Sequence, residues 1–120
     1  VGEKFILIVD NEQEWRDWIY GELDNIGFDM VLFADGEDVR RKLFSNDLML
    51  VIMENNIPPE RGIKLLEELR EKKISVPVIM FTKYTAIKGR LQELKGVLVE
   101  KTSKEKLILQ VKQILRGFKS

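Results

Sequence analysis

A chain of 120 residues with 44% hydrophobic content fits one domain whose core is large enough to need no covalent staples. Cysteine and histidine are both absent, which excludes disulfide frameworks, thiolate or imidazole metal sites, imidazole general bases and phosphohistidine carried by the chain itself. The 20 basic and 20 acidic residues cancel, so no global field favours nucleic acid or an anionic membrane, and Arg40-Arg41-Lys42 reads as a solvated helix face.

No apolar stretch approaches a membrane span and no charged-then-apolar segment opens the chain, so a soluble, cytoplasmic protein is expected, with neither membrane nor nucleic acid among its partners. The first residue is Val1 and not methionine, as expected of a domain excised from a longer protein. Phe5-Ile6-Leu7-Ile8-Val9 reads as a central strand, and Trp15, Trp18, Ile19, Leu23 and Ile26 then recur at helical spacing until Gly27 stops the helix. Residues 30–33 form a second strand, and Asp35-Gly36 turns the chain into a helix carrying Val39, Leu43 and Phe44. Leu48–Met53 is an unbroken apolar run, the pattern of a strand buried on both faces. Pro58 and Pro59 are expected to hold the following loop extended, since a residue before proline avoids the helical region. Ile63, Leu66 and Leu69 make a helical stripe, residues 78–81 a fourth strand, 86–94 a short helix and 97–99 a fifth strand. The last helix places Leu107, Ile108, Val111, Ile114, Leu115 and Phe118 on one face, with Thr102 and Glu105 at capping-box spacing.

Five strands alternating with helices imply right-handed parallel crossovers and a doubly wound α/β sheet with helices on both faces. Functional groups of such sheets gather outside the carboxyl ends of the strands. Those ends carry Asp10-Asn11, Glu54, Thr82-Lys83 and Glu100-Lys101, so four polar strand ends converge on one rim. Trp15 and Trp18 fit either a partner hot spot or core packing, and their place in the apolar stripe favours core packing for at least one of them.

The spacing of Asp10-Asn11, Glu54 with Pro58 and Gly62, Thr82 and Lys101 resembles the response-regulator receiver domain of two-component signalling. Ile6-Leu7-Ile8-Val9-Asp10-Asn11-Glu12 is similar to that family's first strand and acidic pair, Ala34-Asp35-Gly36-Glu37-Asp38 to the turn after its second strand, and Val76-Pro77-Val78-Ile79-Met80-Phe81-Thr82 to its fourth strand with the switch hydroxyl. The resemblance covers almost the whole chain and implies one domain over residues 1–120 with the flavodoxin-like (βα)5 fold, a five-stranded parallel sheet in order 2-1-3-4-5. It also implies a magnesium ion held by acidic residues and a phosphoryl group passed to an aspartate by a partner kinase. Carried over residue by residue, Asp10 and Asn11 stand at the acidic pair, Glu54 at the phosphoacceptor, and Asn56 at the carbonyl that completes the metal site. Thr82 and Leu98 stand at the two switch positions and Lys101 at the anion partner.

Several residues depart from that pattern. Asn11 is neutral where a charged ligand is usual, so magnesium binding by Asp10, Asn11, Glu54 and Asn56 is expected to be weak at best, and no other cofactor is implied. Glu54 adds a methylene and a rotatable bond to the acceptor, which disturbs the in-line geometry of phosphoryl transfer and carries negative charge toward the phosphoryl position. Lys83 stands where a small residue is usual, and it or Lys101 is expected to pair with Glu54. Thr102 replaces the usual proline after Lys101, so a trans bond is expected there, because a cis bond before a non-proline residue costs about 2.5–4 kcal/mol. Leu98 replaces the switch aromatic, and the stretch 82–101 is short for the family.

These features favour a receiver-like protein–protein interaction module that has left phosphorylation behind, not an enzyme. Its partner is a histidine kinase, an output domain or another signalling protein, with a homodimer also open. The alternative is a working phosphoswitch in which Glu54 is an engineered or tolerated replacement for aspartate. A flavodoxin-like cofactor binder or phosphohydrolase fits less well, because the first strand leads into Asp10-Asn11-Glu12-Gln13 and not into a glycine-rich phosphate cradle.

Overall fold

Hydrophobic runs that are buried on both faces dictate the architecture. In the computed structural model, which describes residues 4–118, the strands are β1 (Phe5–Val9), β2 (Asp29–Phe33), β3 (Leu48–Met53), β4 (Val78–Thr82) and β5 (Val97–Glu100). The helices are α1 (Gln13–Leu23), α2 (Val39–Leu43), α3 (Gly62–Glu71), α4 (Lys88–Glu93) and α5 (Lys104–Arg116). The strands pair in parallel in the order β2-β1-β3-β4-β5, the flavodoxin-like (βα)5 arrangement that the sequence pattern implies.

Successive strand side chains point to opposite faces, so each central strand feeds two cores. Leu7, Val9, Val51, Met53, Val78 and Met80 pack under Val39 and Leu43 of α2, Leu65, Leu66 and Leu69 of α3 and Leu91 of α4. On the other face Ile6, Ile8, Leu50, Ile52, Ile79 and Phe81 pack under Ile19 and Leu23 of α1 and Leu107, Val111 and Leu115 of α5. Among the described residues no helix is long and apolar enough to cross a membrane.

Several local expectations are corrected. The segment after β3 is not an extended loop. Asn56–Ile57 pairs antiparallel with Glu60–Arg61 in a tight hairpin about a cis Pro58–Pro59 bond. Helix α1 ends at Leu23, not at Gly27; the Ile26 N–H already bonds the Leu23 carbonyl at 3.0 Å, and Gly27 takes the left-handed φ of 95°. The capping box of Thr102 and Glu105 does not form. The Ser103 N–H bonds the Glu100 carbonyl at 2.9 Å, which leaves Thr102 inside a turn, and α5 begins at Lys104 without a side-chain cap. Phe118 lies beyond the end of α5 and is exposed, as is Phe44 just past the short α2. Arg41 and Lys42 are exposed as expected, while Arg40, also partly exposed, pairs with Glu60 of the hairpin and Glu68 of α3. The Lys101–Thr102 bond is trans, as expected.

Gly62 joins the end of β3 to α3 where no side chain fits. A Cβ there would lie 2.8 Å from the Glu54 carbonyl oxygen, 3.0 Å from Met80 Sδ and 3.2 Å from Asn55 Cα. Because two of these three atoms are backbone, Gly62→Ala is expected to destabilise the fold by about 1–3 kcal/mol in denaturant unfolding. A change within a few tenths of a kcal/mol would show that the β3–α3 junction yields freely.

Candidate functional site

The sheet ladder runs one residue past three of the strands and fixes the rim. The Asp10 N–H bonds the Phe33 carbonyl at 3.1 Å, the Glu54 N–H bonds the Val9 carbonyl at 2.9 Å, and the Lys101 N–H bonds the Thr82 carbonyl at 3.2 Å. Asp10, Glu54 and Lys101 thereby enter one pocket with Thr82, and all four are buried, at 2%, 8%, 4% and 1% exposure. Lys101 Nζ lies 2.7 Å from Asp10 Oδ2 and 2.7 Å from Glu54 Oε1. Thr82 Oγ1 donates to Glu54 Oε2 at 2.5 Å, and the Asn56 N–H donates to the same oxygen at 3.0 Å. Both oxygens of Glu54 are therefore engaged.

The structure settles which lysine meets Glu54. Lys83 is exposed and forms no ion pair with the described residues, so the pairing expected of it is corrected. The reason is strand alternation: Thr82 points into the pocket, and the next side chain points away. Asn11 is exposed and outside the buried cluster, and Asn56 is exposed but contributes its backbone N–H. Leu98 is half-buried against the core beneath α2, α3 and α4. Trp15 and Trp18 are both half-buried against Phe81, so the stripe takes in both rings and neither is wholly a surface anchor.

Three supporting residues escape sequence reasoning. Asn55 Oδ1 accepts the Ile63 N–H at 3.0 Å and so caps the start of α3 from outside the helix. Arg16 Nη1 donates to the Asp10 carbonyl at 2.7 Å, and the Tyr84 N–H donates to Thr82 Oγ1 at 3.1 Å. Only the Tyr84 contact, two residues along the chain from Thr82, had a local signal, a hydroxyl beside a backbone amide at the start of a loop.

Electrostatics separates the two carboxylates. Burial, the largest influence on Asp10, outweighs its hydrogen bonds from Lys101 and the Glu12 N–H, and its carboxyl is held above the ordinary range. Burial also pushes Glu54 upward, but the hydrogen bonds from Lys101, Thr82 and the Asn56 N–H together exceed it, and the carboxyl is held below the ordinary range. Asp10 and Glu54 supply two hard oxygen donors suited to magnesium, consistent with a weak site. Lys101 already bonds both carboxylates, and among the described residues no group of three or more acidic side chains gathers as a metal cluster.

The family model of the response regulator receiver domain matches residues 6–112. The alkaline phosphatase synthesis transcriptional regulatory protein PhoP of Bacillus subtilis is 29% identical over 79 residues, which cover 66% of this chain and 33% of that protein. The chain spans between 33% and 50% of the length of the first curated relatives it matches. A response regulator receiver protein from Pseudoalteromonas atlantica superposes with a TM-score of 0.84 at 26% identity, covering 96% of this chain and 99% of that one. The response regulator TrrA of Thermotoga maritima, solved in complex with Mg2+ and BeF, superposes with a TM-score of 0.79 at 29% identity, covering 93% of this chain and 99% of that one.

Two predictions arise from the pocket. Lys101→Ala leaves two buried carboxylates without their cation and is expected to cost about 3–5 kcal/mol in denaturant unfolding, against at most about 1 kcal/mol for an exposed pair. A loss below 1 kcal/mol would mean that water reaches the carboxylates freely. The second concerns acid. Glu54, with its lowered folded value, stabilises the fold above the ordinary carboxylate range and loses that contribution only as pH falls through the lower value. Asp10 behaves oppositely: its ionisation disfavours the fold, and that penalty is relieved as pH falls through the raised value. Carboxyl carbon NMR across an acid titration is expected to show Asp10 taking its proton before Glu54, and the reverse order would refute this electrostatic assignment.

Proposed function

The chain belongs to the response regulator receiver domain family, and from that premise we propose that residues 1–120 form one receiver domain working as a phosphoswitch, with Glu54 tolerated at the acceptor position. As a receiver domain it is a module of two-component signalling and not an enzyme that turns over a substrate. The observation that carries the phosphoswitch reading is the closed network in which Lys101 bridges Asp10 and Glu54 while Thr82 bonds the same carboxylate. A switch of this kind needs a cation, a hydroxyl and a backbone amide directed at the acceptor, and all three converge on Glu54. A buried charged pocket costs desolvation that an apolar rim would not, which supports a pocket in use. Asp10, Glu54, the Asn56 carbonyl and the Asn11 amide are the groups that would hold magnesium, weakly. When bound, the ion offsets phosphoryl charge. A histidine kinase is the partner class that supplies such a group, and an output domain or a second copy would read the surface of α4, β5 and α5.

One observation favours a second reading, the phosphorylation-independent interaction module. Both Glu54 oxygens already hold the contacts that a phosphoryl group would receive, so the carboxylate can serve as a permanent anion of the switch. Acetyl phosphate or phosphoramidate with magnesium, followed by intact mass measurement, separates the two. The phosphoswitch predicts one added phosphoryl group, absent in Glu54→Gln and acquired slowly, because an oxygen must first leave Lys101 or Thr82. An unlabelled native chain under conditions that label Glu54→Asp would abandon the phosphoswitch and leave the permanent-anion module.

A further inference from the structure

Lys101 has a third neighbour besides its two carboxylates. Its Nζ lies 5.1 Å from the centroid of the Trp15 ring, within the range at which an indole face attracts a cation. That ring is itself fixed. Trp15 stands edge-on to Phe81 at 5.2 Å and 86° and edge-on to Trp18 at 6.0 Å and 87°, while Trp18 stacks on Phe81 at 6.4 Å and 23°. Phe81 is fully buried and immediately precedes Thr82. Lys104 of α5 lies 5.4 Å from the Trp15 centroid and 5.1 Å from that of Trp18. One aromatic cluster thus reaches the pocket's ammonium, the strand residue beside its hydroxyl, and the half-buried face between α1 and α5.

We propose that Trp15 is a positioning residue of the pocket: its indole holds the Lys101 ammonium in register between Asp10 and Glu54. An ammonium is a compact point charge on a flexible stem and lacks the planar fork that lets arginine dock in one orientation. Two carboxylates alone therefore leave its position loosely fixed. A wall is needed that excludes water without repelling charge. An aliphatic side chain at position 15 would exclude water but face the cation with apolar carbon, which disfavours the charged form there. An aromatic face excludes water and attracts the cation together. The assignment rests on reading the pocket as a switch only for its consequence, which is that a displacement of Lys101 alters the environment of Trp15 at the α1–α5 face.

The test uses the full chain and no phosphoryl donor, so its failure and that of the phosphoswitch are separable. Solvent exchange of the Lys101 ammonium protons, followed by NMR, is expected to be slow in the native chain and faster by severalfold in Trp15→Met. Trp15→Phe, which keeps a ring, is expected to be intermediate and Trp18→Phe near native. A merely structural role for Trp15 would lower stability without this graded rescue. Equal exchange in Trp15→Met and the native chain overturns the proposal. Where Trp15→Met does not fold, fluorescence decides. In a Trp18→Phe background Trp15 is the sole tryptophan, because the chain has 2. Lys101→Met is then expected to shift its emission, with Lys104→Met as the control for the outer cation. Unchanged emission on removing the Lys101 charge overturns the assignment equally.

Discussion

One buried ammonium makes this rim possible. Lys101 stands at the end of the edge strand β5, whereas Asp10 and Glu54 stand at the ends of β1 and β3, nearer the middle of the sheet. From β5 to β1 is three strand spacings, about 14 Å, and the long lysine stem crosses β4 to bring its charge between the two carboxylates. Without that cation, neither acid could keep its charge at the few per cent exposure observed, since an isolated buried carboxylate takes up a proton. The ladder bonds that carry Asp10, Glu54 and Lys101 past their strands are therefore useful only together.

The ammonium does not treat its partners alike. Glu54 collects Lys101, the Thr82 hydroxyl and the Asn56 amide, and its carboxyl is held down, whereas Asp10 collects Lys101 and the Glu12 amide, and burial prevails. Of the two carboxyls, Glu54 therefore keeps its charge to the lower pH. The extra methylene of glutamate explains why. It carries the carboxylate outward from the strand end to where the hydroxyl and the amide can both meet one oxygen. Phosphoswitch and permanent anion are two uses of the same electrostatic design, and they differ in whether Glu54 can release an oxygen for attack.

Most of the fold was legible because it follows from short-range patterns. Ile6 and Ile8 feed one core while Leu7 and Val9 feed the other, so an unbroken apolar run implies a strand covered on both sides. The polar residues that end such runs mark the rim by position alone. What stayed hidden depends on contacts between distant segments or on where an element stops. Lys83 and Lys101 carry the same side chain, and only the side to which Thr82 points decides between them. Phe44 and Phe118 continue the apolar pattern of their helices, but each helix ends before its phenylalanine can turn inward. Asn55 caps Ile63 across the hairpin, a bond between residues eight positions apart that no local motif announces.

The same geometry says how the pocket's state can reach the surface. The Thr82 hydroxyl donates to Glu54 and accepts from the Tyr84 amide, so one oxygen links the anion to the first turn of the loop that leads to α4. Arg61 stacks on the exposed ring of Tyr84 with its guanidinium carbon 5.7 Å from the centroid, tying that loop to the hairpin that follows Glu54. Leu98 on β5 is a half-buried aliphatic chain with no ring to rotate. Displacement of the anion therefore has two physical outlets, the Thr82–Tyr84 backbone on one side and the Lys101–Trp15 contact on the other. The first bears on the loop that leads to α4 and the second on the half-buried face between α1 and α5.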